Sequence, residues 1–140
     1  MDNILKIIND ISKLFRNNIR TESDKMGMIG SFWPILMHLS SKDGLTQLEL
    51  VQLTLMTPPS TSLKLQKMEQ DGLINRYPDN EDLRQVRVFL TEKGKKLSEE
   101  MRIIVKNIEA QAIQNISKEE LEKLSIILLK IKENLQEINR

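Results

Sequence analysis

Two stretches of this 140-residue chain hold side chains whose types and spacing suit hydrogen bonding to base edges and phosphates. The first runs from Thr57 to Lys67. Thr57-Pro58 is a hydroxyl cap followed by proline at the first helical position, so a helix starts here, and Thr61, Leu65 and Met68 form its core-facing stripe. That leaves Pro59, Ser60, Ser62, Leu63, Gln66 and Lys67 on the other side, with Lys64 beside them. Short hydroxyls donate or accept, a glutamine amide matches an adenine edge, a leucine packs on thymine methyls, and lysines meet phosphates. The helix N-terminus itself attracts phosphate, and the Thr57 hydroxyl sits there. The plainer alternative is a core helix with a solvated polar face.

The second stretch is Asp82-Leu83-Arg84, with Arg87 behind it. An arginine at a hairpin tip can enter a narrow minor groove, where negative potential concentrates. An aspartate two residues earlier would hold its guanidinium in a bidentate pair and pre-orient it. Arg87, on the strand behind, is placed to reach phosphate. On these residues alone, a surface ion pair worth ~0–1 kcal/mol is the favoured reading of Asp82 and Arg84.

Other chemistries fall away on composition. There is no cysteine, which excludes disulfides, thiol redox sensing and cysteine metal sites, and His38 is the only histidine. No nucleophile–base pair, metal set or phosphate loop is readable, so we expect no enzyme, no metal and no cofactor. The net charge is +1, from 21 bases and 20 acids, and no third of the chain is strongly basic. A nucleic-acid site must therefore be a local patch. The longest apolar run near the C-terminus is Ile126–Leu129, far short of the ~18 residues that cross a bilayer. Asp10 interrupts the N-terminal apolar stretch, unlike a signal peptide, so a cytoplasmic protein without a membrane partner is expected.

The elements that position the two stretches follow from period and caps. Ile4, Ile8, Ile11 and Phe15 step by four, three and four, predicting a helix over residues 3–19 with Asp2 as a cap. Thr21–Gly30 reads as a polar separator, and a helix through Phe32–Leu39 starts near Ser31 with Pro34 in its first turn. Thr46-Gln47-Leu48-Glu49 is a capping box opening a helix that stops near Met56. The helix from Pro58 then ends at Asp71-Gly72, completing a helix-turn-helix. Leu73, Ile74 and Tyr77, a turn at Pro78–Asp82, and alternating Val86, Val88 and Leu90 make a β-hairpin with a charged tip. Hairpin after helix-turn-helix is a winged helix.

From Gly94 the chain reads as helical, with Leu97, Met101, Ile104, Val105 and Ile108 in one stripe, then a capping box at Ser117–Glu120. The helix beyond it carries an unbroken seam of Leu121, Leu124, Leu128, Ile131, Leu135 and Ile138. Amphipathic helices at both ends either cap the domain as an intramolecular bundle or pair with a second copy, and the second is favoured on so small a chain. The expected fold is mainly α (α+β), a winged helix-turn-helix with N- and C-terminal dimerisation helices. Residues 1–30 form the N-terminal helix and linker, 31–94 the winged helix, and 95–140 the C-terminal helices.

Asp79, Asp82, Arg84, Val88, Leu90, Thr91 and Gly94 stand in a spacing that resembles the wing of the MarR family of bacterial transcription regulators. Asp71-Gly72-Leu73-Ile74-Asn75-Arg76 is similar to that family's segment between recognition helix and wing, and Phe32–Leu36 and Thr46–Leu53 fit in order and spacing. The pattern departs at Glu81 and Leu83, which stand where the family has bases, and at Lys64, where an aliphatic residue is usual. The resemblance implies a homodimeric, sequence-specific regulator, a repressor in most cases, bound to a palindromic double-stranded DNA operator. It further implies a small anionic or lipophilic effector, for which Arg16, Arg20, Trp33 and His38 are the candidate contacts, although a packed, hydrogen-bonded His38 and solvated or interface-paired arginines are the commoner roles. The alternative is a winged-helix protein-interaction module without DNA binding, which Glu81 and the near-zero charge favour and the polar helix face opposes.

Overall fold

A computed structural model describes residues 3–138. Two compact units divide the chain after Ile108. The first opens with α1 (Ile4–Lys25), whose N-cap is Asn3, its side chain accepting from the Lys6 amide at 3.1 Å. The expected cap Asp2 lies outside the described residues. The helix runs six residues past the expected end, into the polar stretch that reads as a separator. Nothing in Thr21–Lys25 breaks a helix, and Ser23 is fully buried there, its hydroxyl donating to Met101 Sδ at 3.5 Å. Packing thus overrides local polarity.

A single 3₁₀ turn at Gly30–Phe32 leads into α2 (Trp33–Ser41), with Pro34 in its first turn as its missing amide requires. The two-residue strand β1 (Leu45–Thr46) precedes α3 (Gln47–Thr54). Thr46 and Glu49 form the expected capping box, each side chain accepting from the other's amide at 3.1 Å. Leu55 in the left-handed region (φ 57°) then turns the chain into α4 (Pro58–Gln70), capped by Thr57. Strands β2 (Ile74–Pro78) and β3 (Val86–Leu90) form an antiparallel hairpin, with Ile74 opposite Leu90 and Pro78 opposite Val86. β1 adds to the free edge of β3, giving the order β1-β3-β2.

The core of this unit is apolar and continuous. Ile35, Leu36, Leu39, Leu50, Leu65, Met68, Ile74, Val88 and Met101 are essentially inaccessible. Thr61, Leu65 and Met68 face it from α4, as their spacing predicts. The helix α5 (Glu92–Ala112) contributes Gly94, Ser98, Met101 and Val105.

The C-terminal end of α4 is tied down tightly. Leu73 N donates to Met68 O at 2.9 Å and Gly72 N to Glu69 O at 3.0 Å, a Schellman motif with Gly72 at φ 74°. Thr91 then bridges this turn to α5: its hydroxyl donates to Gly72 O at 2.6 Å and accepts from the Gly94 amide at 3.1 Å. At Gly94 a β-carbon would run into the Leu73 carbonyl, so only glycine permits the approach.

In the second unit, Asn115 at φ 64° precedes the capping box in which Ser117 N donates to Glu120 Oε1 and Glu120 N to Ser117 Oγ, both at 3.1 Å. The helix α6 (Lys118–Ile138) follows and buries no residue. Of its seam and flank, Leu124, Ile127, Leu128, Leu135 and Ile138 are exposed, while Leu121 and Ile131 are half-buried.

Candidate nucleic-acid interface

On α4, Pro59, Ser62, Leu63, Gln66 and Lys67 are exposed, while Ser60 and Lys64 are half-buried. The Thr57 hydroxyl accepts from the Ser60 amide at 3.3 Å, fixing the first turn, and Thr61 Oγ1 donates to Thr57 O at 3.0 Å. The hydroxyl of Ser62 and the amide of Gln66 therefore project from a rigid helix, and Leu63 between them is 67% exposed. Lys67 pairs with Asp71 at 3.0 Å, a solvent-screened contact that a phosphate can replace.

The tip of the wing is a tight turn. Gln85 N donates to Asp82 O at 2.9 Å, which makes Leu83 and Arg84 its two central residues. Asp82 Oδ1 accepts from both the amide and Nε of Arg84, each at 3.1 Å, and Oδ2 from Nη2 at 3.4 Å. The guanidinium is thus held by a fork while remaining 91% exposed. This is the bidentate pair the spacing suggests.

Arg87 is placed differently from the expected phosphate contact. Its Nε donates to Asp79 Oδ1 at 2.7 Å and its Nη1 to the Gly44 carbonyl at 2.7 Å, so it joins wing and β1. The Arg87 N–H holds the Asp79 carboxyl below its ordinary range, and the carboxylate in turn raises the guanidinium's pKa.

A second internal link had no local signal. Arg76 on β2 donates through Nη2 to Glu69 Oε1 at 3.0 Å and through Nη1 to Gln47 Oε1 at 3.5 Å. One guanidinium thereby spans α4, β2 and α3, and it lowers the Glu69 pKa by hydrogen bonding. The Glu49 pKa is lowered first by the Thr46 amide it accepts from.

The four candidate effector contacts are dispersed. Arg16 is exposed and donates to Ser12 Oγ at 2.7 Å, Arg20 is exposed, Trp33 is buried in the core, and His38 is half-buried. None of them lines the cleft of about 390 Å³ bounded by Met28, Ile29, Phe32, Leu73, Lys93 and Leu97. That cleft draws on three distant segments, and no sequence spacing announces it. Among the described residues there is no cluster of His, Cys, Asp and Glu able to hold a metal, and no helix is long and apolar enough to cross a membrane.

A helix-turn-helix whose second helix exposes a polar face, followed by a hairpin with a braced arginine, defines a winged-helix protein. Residues 32–86 match the sequence model of the MarR family. Across 96% of this chain and 97% of the other, the fold superposes on a MarR transcriptional regulator from Methanosarcina mazei Go1, with 28% identity and a TM-score of 0.85. It is similar at 26% identity to the S. aureus MepR–DNA complex (96% and 99% covered, TM-score 0.86). A MarR family regulator from Listeria monocytogenes complexed with 26mer DNA shares the fold at 23% identity (96% and 90% covered, TM-score 0.90). Over residues 32–86 the chain is thus similar to the MarR family, and its fold is one that MarR transcription regulators share.

Proposed function

We propose that two copies of this chain form a cytoplasmic homodimer that binds a palindromic operator in double-stranded DNA and represses transcription in response to a small effector. The observation that carries the reading is the fork from Asp82 to Arg84 at an exposed tip, in one compact unit with the exposed Ser62, Leu63 and Gln66 of α4. Helix α4 enters the major groove with Ser62 and Gln66 toward base edges, Thr57, Pro59 and Ser60 at its leading turn, and Lys64 and Lys67 toward phosphates. Arg84 enters the neighbouring minor groove. Arg87 serves by holding the wing at its root.

The dimer rests on apolar faces that a single chain leaves in water: Ile4, Ile7, Ile11 and Leu14 of α1, and the seam of α6. An effector that is anionic or lipophilic fits the cleft beside Lys93 and Lys96, whose size suits a small molecule, better than it fits the dispersed Arg16, Arg20, Trp33 and His38. Duplex titration across salt concentrations tests the reading. Phosphate neutralisation releases counterions, so the affinity falls steeply with salt. Salt-insensitive or absent duplex binding would instead favour a protein-interaction module.

A further inference from the structure

We propose that Leu83 is a second groove-reading residue of the wing, packing against the deoxyribose walls of the minor groove that Arg84 enters. The inference rests on the DNA-binding reading above. Leu83 is 77% exposed, and no other large apolar residue among the described residues is more so. The tight turn makes it the direct partner of Arg84 at the tip. The loop is braced internally: Asp79 N donates to Gln85 O at 2.9 Å, and Asp82 N donates to Asp79 Oδ2 at 3.2 Å. A braced turn cannot deliver Arg84 alone. Wherever the guanidinium goes, Leu83 arrives within one residue of it.

The surroundings select the occupant. Glu81 and Arg84 are exposed on either side of Asp82 and Leu83, so the tip offers one apolar side chain between charges rather than a contiguous apolar patch. Protein partners are bound through contiguous apolar cores. A slot with anionic rims and C–H walls, about 6 Å wide, fits a lone leucine beside an arginine. A leucine in that slot neutralises no phosphate. Its share of the affinity is therefore independent of salt, whereas the share from Arg84 is not.

The test uses a duplex that the parent protein selects from a random pool, titrated with parent, Leu83→Ala, Leu83→Arg and Arg84→Ala at several salt concentrations. Leu83→Ala should weaken binding by about tenfold at every concentration, leaving the slope of log affinity against log salt unchanged. Leu83→Arg should tighten binding at low salt and steepen the slope. Arg84→Ala should make it shallower. Equal binding by Leu83→Ala and parent at all concentrations, with Arg84→Ala impaired, overturns the role of Leu83 and leaves the DNA-binding reading standing. Salt-insensitive parent binding with no effect of Arg84→Ala overturns both. Thermal unfolding of each variant should stay close to the parent's, since Leu83 lies largely in solvent and Arg84 gives up only an exposed, solvent-screened pair with Asp82.

Discussion

Arg87 and Asp79 bolt the root of the wing, Nε to Oδ1 at 2.7 Å, while the same guanidinium reaches across β3 to the Gly44 carbonyl. A hairpin alone is marginal, and this link joins it to the β1 edge. Arg87→Ala should thus disturb DNA binding by loosening the wing rather than by losing a charge at the groove. Faster amide exchange in residues 79–87, with the helices unchanged, is the expected sign. Unchanged exchange there would show that the link is incidental.

The same pair sets a pH dependence. The Asp79 carboxyl titrates lower in the folded protein than in the unfolded chain, so its contribution is present above the ordinary carboxylate range near 4 and lost as pH falls through the folded value. Glu49, Glu69 and Glu120 are lowered likewise and share the sign. Urea midpoints should be flat from pH 7 to 5 and fall below about pH 4. Asp79→Asn should lessen that fall. A midpoint that rises on acidification contradicts the assignment.

Gly94→Ala should destabilise the protein by about 1–3 kcal/mol, because the new methyl meets a backbone carbonyl that cannot move without the Schellman turn. Helix propensity alone predicts the opposite sign, since alanine is the better helix former. Chemical denaturation decides between them.

What could be read from sequence was local. The capping boxes at Thr46 and Ser117 and the cap at Thr57 complete their hydrogen bonds within three residues, so spacing reveals them. The fork from Asp82 to Arg84 spans two residues and was readable for the same reason. What escaped depends on distant partners. β1 exists only by pairing with Val88 and Arg87, and α1 extends because Ser23 meets Met101. The engagement of Arg87 needs Gly44, and the Arg76 link needs Gln47.

At the wing tip, Arg84→Ala should weaken operator binding by about 1–3 kcal/mol, most on A·T-rich flanks. Asp82→Ala should cost less, since it frees the arginine without removing its charge. Glu81→Arg should tighten binding with little sequence preference and a steeper salt slope. Competitive duplex titrations rank the three variants, and an unimpaired, folded Arg84→Ala would remove the wing from the interface.

Truncation after Asn115 removes the whole of α6 and with it the seam left exposed in one chain. Sedimentation should show a dimer for the intact protein and a monomer or aggregate for the truncation. A stable intact monomer at micromolar concentration would contradict the pairing.

Operator recognition, as proposed, needs a two-fold pair of these winged helices to read DNA sequence. Selecting bound duplexes from a random pool with the intact protein, then footprinting the winners, tests it most directly. A symmetric dimer should select an inverted repeat with half-sites about 10 base pairs apart, or a multiple, both protected on one face of the duplex. Enrichment of no sequence, or protection of a single unrepeated half-site, would contradict it.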